Sequence, residues 1–328
     1  MQNGFLPDVR PFFTEKAYFA FCQSGNLLSK IHAITLSYVR RVILLLQSSS
    51  YDLIFIHREA TPLGPPILEY VFAKILKKKI IYDFDDAIWL TDKTGESTFI
   101  RIIRWRSKVG AICKWSHQIS CGNAYLGEYA RKFNSNVSII PTTIDTLLVH
   151  LPPKRKSITG KITIGWTGSH STLKYLQNIL PALQSIEKKY PEIDFLIIAD
   201  EDPKLPLRNQ LFLPWRKETE ISDLGTMDVG IMPLPDDPWT RGKCGFKALQ
   251  YMAMAIPAVV SPVGVNRKII RHGREGYWCE TENDWLVYLE DLILHAEKRS
   301  EMGKRGRQKV VDHYSVASNA DNFLSLFQ

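Results

Sequence analysis

The sequence has few cysteines, and their arrangement rules out a covalently stapled fold. The five (Cys22, Cys113, Cys121, Cys244 and Cys279) are odd in number, and none stands in a CxxC pair. That argues against a disulfide framework or a zinc site and for a reducing compartment, so a cytoplasmic protein is expected. In that setting the sequon Asn136-Val137-Ser138 carries no meaning. Long apolar runs are also scarce. The most apolar early stretch, Ile31–Leu46, is interrupted by Arg40-Arg41 and is too short to span a bilayer. No recognised nucleic-acid-binding module is present, and the positive charge is scattered rather than gathered, so nucleic acid is not expected as a partner. What is present is an ordinary globular composition: 328 residues, 45% hydrophobic and 23% charged. Such a chain has enough material for about two domains. Lys and Arg outnumber Asp and Glu 42 to 34, for a formal net charge of +8. An excess of that size favours anionic partners such as nucleotide diphosphates or acidic lipids without choosing among them.

Short apolar runs alternate with helical periodicity along most of the chain. Tyr51–His57 reads as a buried strand, followed by a helix over Pro66–Lys77 and a strand opening at Lys79–Tyr82. A long helix is predicted over Thr98–Trp115, then strand Gln118–Cys121, helix Ala124–Phe133 and strand Val137–Ile140. Pro141–Gly160, with Pro152-Pro153 and the basic run Lys154-Arg155-Lys156, reads as a linker. The alternation restarts with strand Lys161–Gly165, helix Leu173–Lys189, strand Asp194–Ala199 and a short strand at Leu211–Leu213. Helices over Glu282–Lys298 and Ser300–His313 and an amphipathic tail, Val316–Phe327, close the chain. This is the pattern of parallel α/β sheets with helices on both faces.

Between Val229 and Gly264 the pattern is sharpest. Val229–Leu234 and Ala258–Ser261 are apolar runs closed by prolines, and Phe246–Ala255 between them has the spacing of a helix packed on a sheet. Such a unit puts a helix N-terminus at the carboxyl edge of the sheet, where unpaired N–H groups and the dipole favour phosphate. Lys243 and Lys247 flank that N-terminus and add charge. Cys244, Gly245 and Phe246 complete the turn, so the segment predicts a diphosphate site.

Leu249-Gln250-Tyr251-Met252-Ala253-Met254-Ala255-Ile256-Pro257 resembles the LEAMA-x-G-x-P stretch of glycosyltransferase family 4, retaining enzymes of the GT-B fold. The resemblance implies two Rossmann-like domains facing each other across a cleft. Residues 1–150 would be the acceptor domain, 151–313 the nucleotide-sugar domain, and 314–328 a helix packing back toward the first. It also implies a nucleotide-diphosphate sugar as donor, a glycan or lipid-linked acceptor, and no metal or other cofactor. The two glutamates of the family motif fall on Gly242 and Gln250, so their roles do not carry over. Gln250 retains an amide able to bond a ribose hydroxyl. Family members carry a strand and helix ahead of the region that Val9–Phe13 resembles, whereas this chain opens Met1-Gln2-Asn3-Gly4-Phe5-Leu6-Pro7. A truncated first domain with an unpaired sheet edge is therefore expected.

The other candidates follow from position in that plan. The loop Gly165–Thr172 joins a strand to a helix. Gly168 allows close approach, Ser169 and His170 face the donor phosphates in the resembling family, and Lys174 is the nearest match to its lysine. Trp166 takes the place of an arginine. Trp215, after Leu211–Leu213, either stacks on the base or fills core. Asp83-Phe84-Asp85-Asp86 resembles a metal motif of another fold. Here Asp85 and Asp86, the catalytic candidates, are read as binding acceptor or sugar hydroxyls, or Asp85 as having a basic role, rather than as metal ligands. Arg58 and Glu59 end a neighbouring strand and either bind acceptor or pair with each other. On the helix Phe99–Lys108, Arg101, Arg104 and Lys108 share one side and Ile102 and Trp105 another, which suits peripheral contact with the inner face of an anionic membrane.

Overall fold

The computed structural model describes residues 4–22, 27–92, 95–152 and 158–328. Met1–Asn3, Pro153 and the Lys154–Lys156 run lie outside the described residues, and the side chain of Cys22 is not among those described. The chain divides into two compact units, 4–84 with 88–120 and 130–138, and 85–87 with 121–129 and 139–328. Cys113, Cys121, Cys244 and Cys279 are all free thiols, and all are buried.

The first unit holds a four-stranded sheet in the order β1 (Leu53–His57), β2 (Lys79–Phe84), β3 (Gln118–Cys121), β4 (Val137–Ile139). β1 pairs with β2 in parallel, Leu53 opposite Lys79 through His57 opposite Asp83, and stands at the end of the strand order. Ile80, Ile81, Tyr82 and Phe84 are buried, as a strand covered on both faces requires. The helix expected over Thr98–Trp115 is two helices, Thr98–Arg104 and Lys108–Trp115, separated by Trp105 in the left-handed region at φ 48°. The segment after Pro66 is a short α-helix, Ile67–Tyr70, that widens into a π-helix over Val71–Ile75. Sequence periodicity missed the helices Glu15–Cys22 and Leu27–Gln47.

The second unit is built on a six-stranded sheet in which every neighbouring pair is parallel. Its strands are β5 (Thr163–Thr167), β6 (Asp194–Ala199), β7 (Gln210–Pro214), β8 (Val229–Met232), β9 (Ala258–Val260) and β10 (Gly276–Trp278), ordered β10-β9-β8-β5-β6-β7. β10, only three residues long, was not legible in the sequence. Side chains alternate between two cores. Phe195 and Ile197 of β6 enter one with Trp166, while Leu196 and Ile198 enter the other with Tyr251 and Met252. The helix expected over Leu173–Lys189 is broken into His170–Leu173, a 3₁₀ turn Leu176–Ile179, and Leu180–Lys189. Pro181 explains the restart: lacking an N–H, it suits a first turn and not a helix interior. The two C-terminal helices meet at His295, spanning Glu282–Leu294 and Ala296–His313.

This strand order fixes where a ligand is best held. The chain leaves β5 toward β6 and β7, then returns to lay β8 on the other side of β5. The carboxyl ends of β5 and β8 therefore flank a topological switch point, where parallel open sheets leave a crevice.

Candidate functional site

The helix Phe246–Ala253 is anchored at that switch point by Tyr251. The Tyr251 hydroxyl accepts from the Thr167 N–H of β5 (3.1 Å) and donates to the Ile231 carbonyl of β8 (3.3 Å), tying the helix to both strands. Its ring fits because residue 230 is glycine: a Cβ there would lie 2.3 Å from the ring. Lys247 precedes Tyr251 by four residues and so shares its helix face, one turn closer to the N-terminus.

That N-terminus has no side-chain cap. Gly245 is the N-cap, held at φ 71°, a conformation natural to glycine. The first-turn N–H groups of such a helix have no intrahelical acceptor. Phe246, the next residue, is exposed. The ammonium of Lys247 stands 5.4 Å from the Trp166 ring centre. Burial, together with nearby Lys243, pushes the Lys247 pKa down to about 8, with Asp86 acting in the opposite sense. Lys243 lies 5.6 Å from the Trp239 ring centre and 3.7 Å from an Asp86 oxygen. Two cations thus crowd one helix start with partial relief from one carboxylate, an arrangement short of negative charge.

Asp85 and Asp86 follow β2 directly and fall in the second unit. Cys244 is buried, and its thiol donates to the Asp85 carbonyl (3.1 Å). Burial, with Asp85 and Asp86 nearby, pushes that thiol up to about 12, so it serves as a neutral donor. Asn123, unnoticed in the sequence, donates to the carbonyls of Gly242 (3.0 Å) and Lys243 (3.1 Å), fixing the turn that carries Lys243. Position 242 admits no side chain, since a Cβ would lie 2.7 Å from the Ala87 Cβ and 2.9 Å from its backbone nitrogen. Gln250 is buried and donates to Glu220 (3.1 Å), so its amide is already engaged.

The loop after β5 brings in the remaining donor candidates. The Gly168 N–H donates to the Ile198 carbonyl, and a Cβ on Gly168 would lie 2.5 Å from the Trp166 ring. Ser169 begins the short helix, its hydroxyl bonded to that of Ser171. His170 is held twice by Asp200, through its backbone N–H (2.5 Å) and through Nδ1 (2.6 Å). Burial works to raise the Asp200 pKa, but these bonds outweigh it and leave the carboxyl below its ordinary value. Lys174 is exposed, 5.3 Å from the Tyr175 ring centre. Trp215 is not core: it is 45% exposed at the end of β7, its N–H bonded to the Ala199 carbonyl. Arg58 and Glu59 lie in the first unit. Arg58 has φ 62° and donates its N–H to the Asp83 carbonyl, while the Glu59 carboxylate pairs with buried Lys108.

Residues 161–293, which contain this turn, helix and loop, match the family model of glycosyl transferases, group 1. That segment is similar to the group 1 glycosyltransferase domain. A curated relative is spore coat protein SA of Bacillus subtilis, 25% identical over 192 residues, 52% of this chain and 49% of that protein. The chain thus spans about half the length of the relative it matches. Among solved structures, Anabaena HepE in complex with UDP-glucose aligns with TM-score 0.66 at 13% identity, covering 88% of this chain and 81% of that one. Sucrose-phosphate synthase from Thermosynechococcus elongatus aligns at 0.65 and 13%, covering 89% and 76%. TarM of S. aureus, in complex with Fondaparinux, alpha-GlcNAc-glycerol and UDP, aligns at 0.65 and 14%, covering 88% and 59%. At such identities the likeness carries the fold, which is the two-sheet α/β architecture of GT-B glycosyltransferases.

Proposed function

We propose that the chain transfers a sugar, with retention, from a nucleotide-diphosphate donor to a glycan or lipid-linked acceptor in polysaccharide assembly. The observation that carries this reading is the lysine pair, Lys243 and Lys247, at the uncapped start of the Phe246–Ala253 helix beside the switch point. In this reading the diphosphate lies across the Gly245–Lys247 N–H groups and both ammoniums. There it is stabilised most as it departs, because preorganised charge acts most strongly where charge develops. Gly168, Ser169, His170 and Lys174 border the same phosphates, and Trp215 offers its exposed ring to the base. No side chain fits at position 242, so a carboxylate reaches this turn from Asp86 instead, and Asp85 beside it contacts sugar or acceptor hydroxyls. The reaction draws on side chains and helix charge alone, without a metal.

The test is thermal-shift binding of UDP, GDP and ADP, followed by product analysis with the matching nucleotide sugars. Stabilisation by one diphosphate, and a transferred sugar with its anomeric configuration kept, are the expected results. A folded protein that ignores all three would sink the reading. Binding without turnover would leave a nucleotide-sugar-binding protein, and isomerised sugar without acceptor would point to an epimerase.

A pH dependence follows from Lys247. Its folded-state pKa lies near 8, so raising pH from 7 to 9 removes the charge from the free protein and weakens diphosphate binding. A bound diphosphate favours the ammonium, so binding near pH 8 takes up roughly half a proton. Calorimetric titration in two buffers of different ionisation enthalpy reads this uptake directly. Equal heats in both buffers would contradict it.

The first unit supports a place on a membrane surface. The helix Thr98–Arg104 buries no residue, and it exposes Phe99 and Ile102 beside Arg101 and Arg104. The helix Leu27–Gln47, with no acidic residue, exposes Leu28, Ile31, Val39, Val42 and Leu46. Apolar and cationic side chains together suit anionic lipid. No described helix is long and apolar enough to cross a membrane. Co-sedimentation with vesicles containing phosphatidylserine, lost with Arg101→Glu/Arg104→Glu and absent with neutral vesicles, is expected. Equal binding to neutral vesicles would exclude the electrostatic part.

A further inference from the structure

A cavity of about 970 Å³ lies wholly among residues of the second unit, and neither Lys243 nor Lys247 lines it. It nevertheless shares structure with the lysine pair. Arg241 in its wall stands two residues before Lys243, and Asn123, also in the wall, is the residue bonded to the Gly242 and Lys243 carbonyls. Its volume is that of a small-molecule site, larger than a single water-filled gap.

The lining is cationic. Arg241, Arg267, Lys268 and Lys309 face Glu128 and Asp236. Asp236 is already taken by Arg241 at 2.6 Å. Arg267 pairs with Glu280, and Lys309 reaches buried Glu275 at 3.6 Å, both partners lying outside the lining. That leaves Lys268 and His313, and the Glu128 carboxylate in the same lining, with no side-chain partner among the described residues, so the donors left over outnumber the one carboxylate. Both donors are exposed. Spare donors in a roomy cavity, with Val263 and Ile139 supplying apolar surface for a ring face, describe a site for a charged carbohydrate.

The geometry points to this cavity as the seat of an anionic group, phosphate or carboxylate, on the sugar acceptor. The inference rests on the transferase reading for the word acceptor, but not for the anion. The shared turn gives it a function, because residues 241–243 couple occupancy of the cavity to the placement of the lysine that meets the leaving diphosphate.

Three probes of similar shape separate the possibilities on the full-length chain: glucose, glucuronate and glucose 1-phosphate, with UDP titrated separately. At least one charged probe is expected to bind about tenfold or more tighter than glucose, and which one names the group. Lys268→Gln/His313→Gln, at two exposed positions, is expected to lose about tenfold in that affinity and to leave UDP binding unchanged, in line with charge-assisted hydrogen bonds. Arg267→Gln is the second variant, with a thermal melt as folding control. The inference falls if the charged probes bind no better than glucose, if both folded variants keep full affinity, or if UDP displaces the probe. Charged-probe binding in a protein that ignores UDP would instead remove the donor reading and leave the cavity standing.

Discussion

Lys247→Ala is expected to abolish nucleotide-diphosphate binding at micromolar concentrations and to lower the proposed sugar transfer by about a thousandfold or more. One charge-assisted hydrogen bond contributes about 1.5–3 kcal/mol, or roughly ten- to a hundredfold in affinity. In the proposed reaction Lys247 would add to that a charge at the leaving group, where the loss grows as the bond breaks. Lys243 does not compensate, since its ammonium is shared with Asp86 at 3.7 Å. The same lysine gives an opposite result in stability. Its folded pKa of about 8 lies below the unfolded value, so at pH 7 the charged form costs the folded state. That cost shrinks as pH rises through 8 and is gone above the unfolded pKa, about 10.4. Lys247→Met therefore melts at a higher temperature than the natural protein at pH 7, and the advantage disappears near pH 10.5. A site that binds an anion through a desolvated lysine is expected to trade stability for function. Melting curves and a UDP titration on the two variants check both halves. A Lys247→Ala protein that still binds UDP would remove the lysine pair from the site.

Elements with strong periodicity or clean apolar runs are legible in the sequence itself. β6 and the Phe246 helix stand where the sequence put them, because local pattern and tertiary burial agree there. The break at Trp105 was not readable. Its left-handed conformation has no glycine or proline to announce it, and the helix on either side keeps its apolar spacing. β10 is too short for a period to show. In the site, the lysines at 243 and 247 were legible from their places around a helix start. Trp215 was not: a tryptophan after an apolar run reads equally as core or as an exposed platform, and only the chain's path decides. Asn123 and Asp200 were invisible because their partners lie 119 and 30 residues away in sequence. Tyr251 did carry a signal. A glycine inside the apolar run at 230 marks a close approach, and the bulky residue that fills the space is the tyrosine standing in a stretch of small and flexible side chains.

That pairing sets up the second large effect. Gly230→Ala is expected to destabilise the second unit by about 3 kcal/mol and to weaken diphosphate binding about tenfold. The added Cβ lies 2.3 Å from the Tyr251 ring, well inside contact distance. The ring cannot swing aside cheaply, since its hydroxyl is held by Thr167 and Ile231 and its surroundings are fully buried. Overpacking of a tight core costs about 1–3 kcal/mol, and losing a buried hydroxyl's partners adds to it. For a unit of this size each kcal/mol moves the melting temperature by about 2–4 °C, so a fall of roughly 6–12 °C is expected. Binding suffers through geometry, because displacing Tyr251 moves the face that carries Lys247 one turn away. The pairwise origin is checked with Tyr251→Leu. Alone, Tyr251→Leu destabilises by removing the bridge between β5 and β8. In the Gly230→Ala background it costs much less, or restores stability, because the smaller side chain makes room for the methyl group. A double-mutant cycle with a coupling of about 1–2 kcal/mol is the expected result. Strict additivity would mean that the glycine serves the strand backbone and not the tyrosine, and the helix would then owe its position to its other buried side chains.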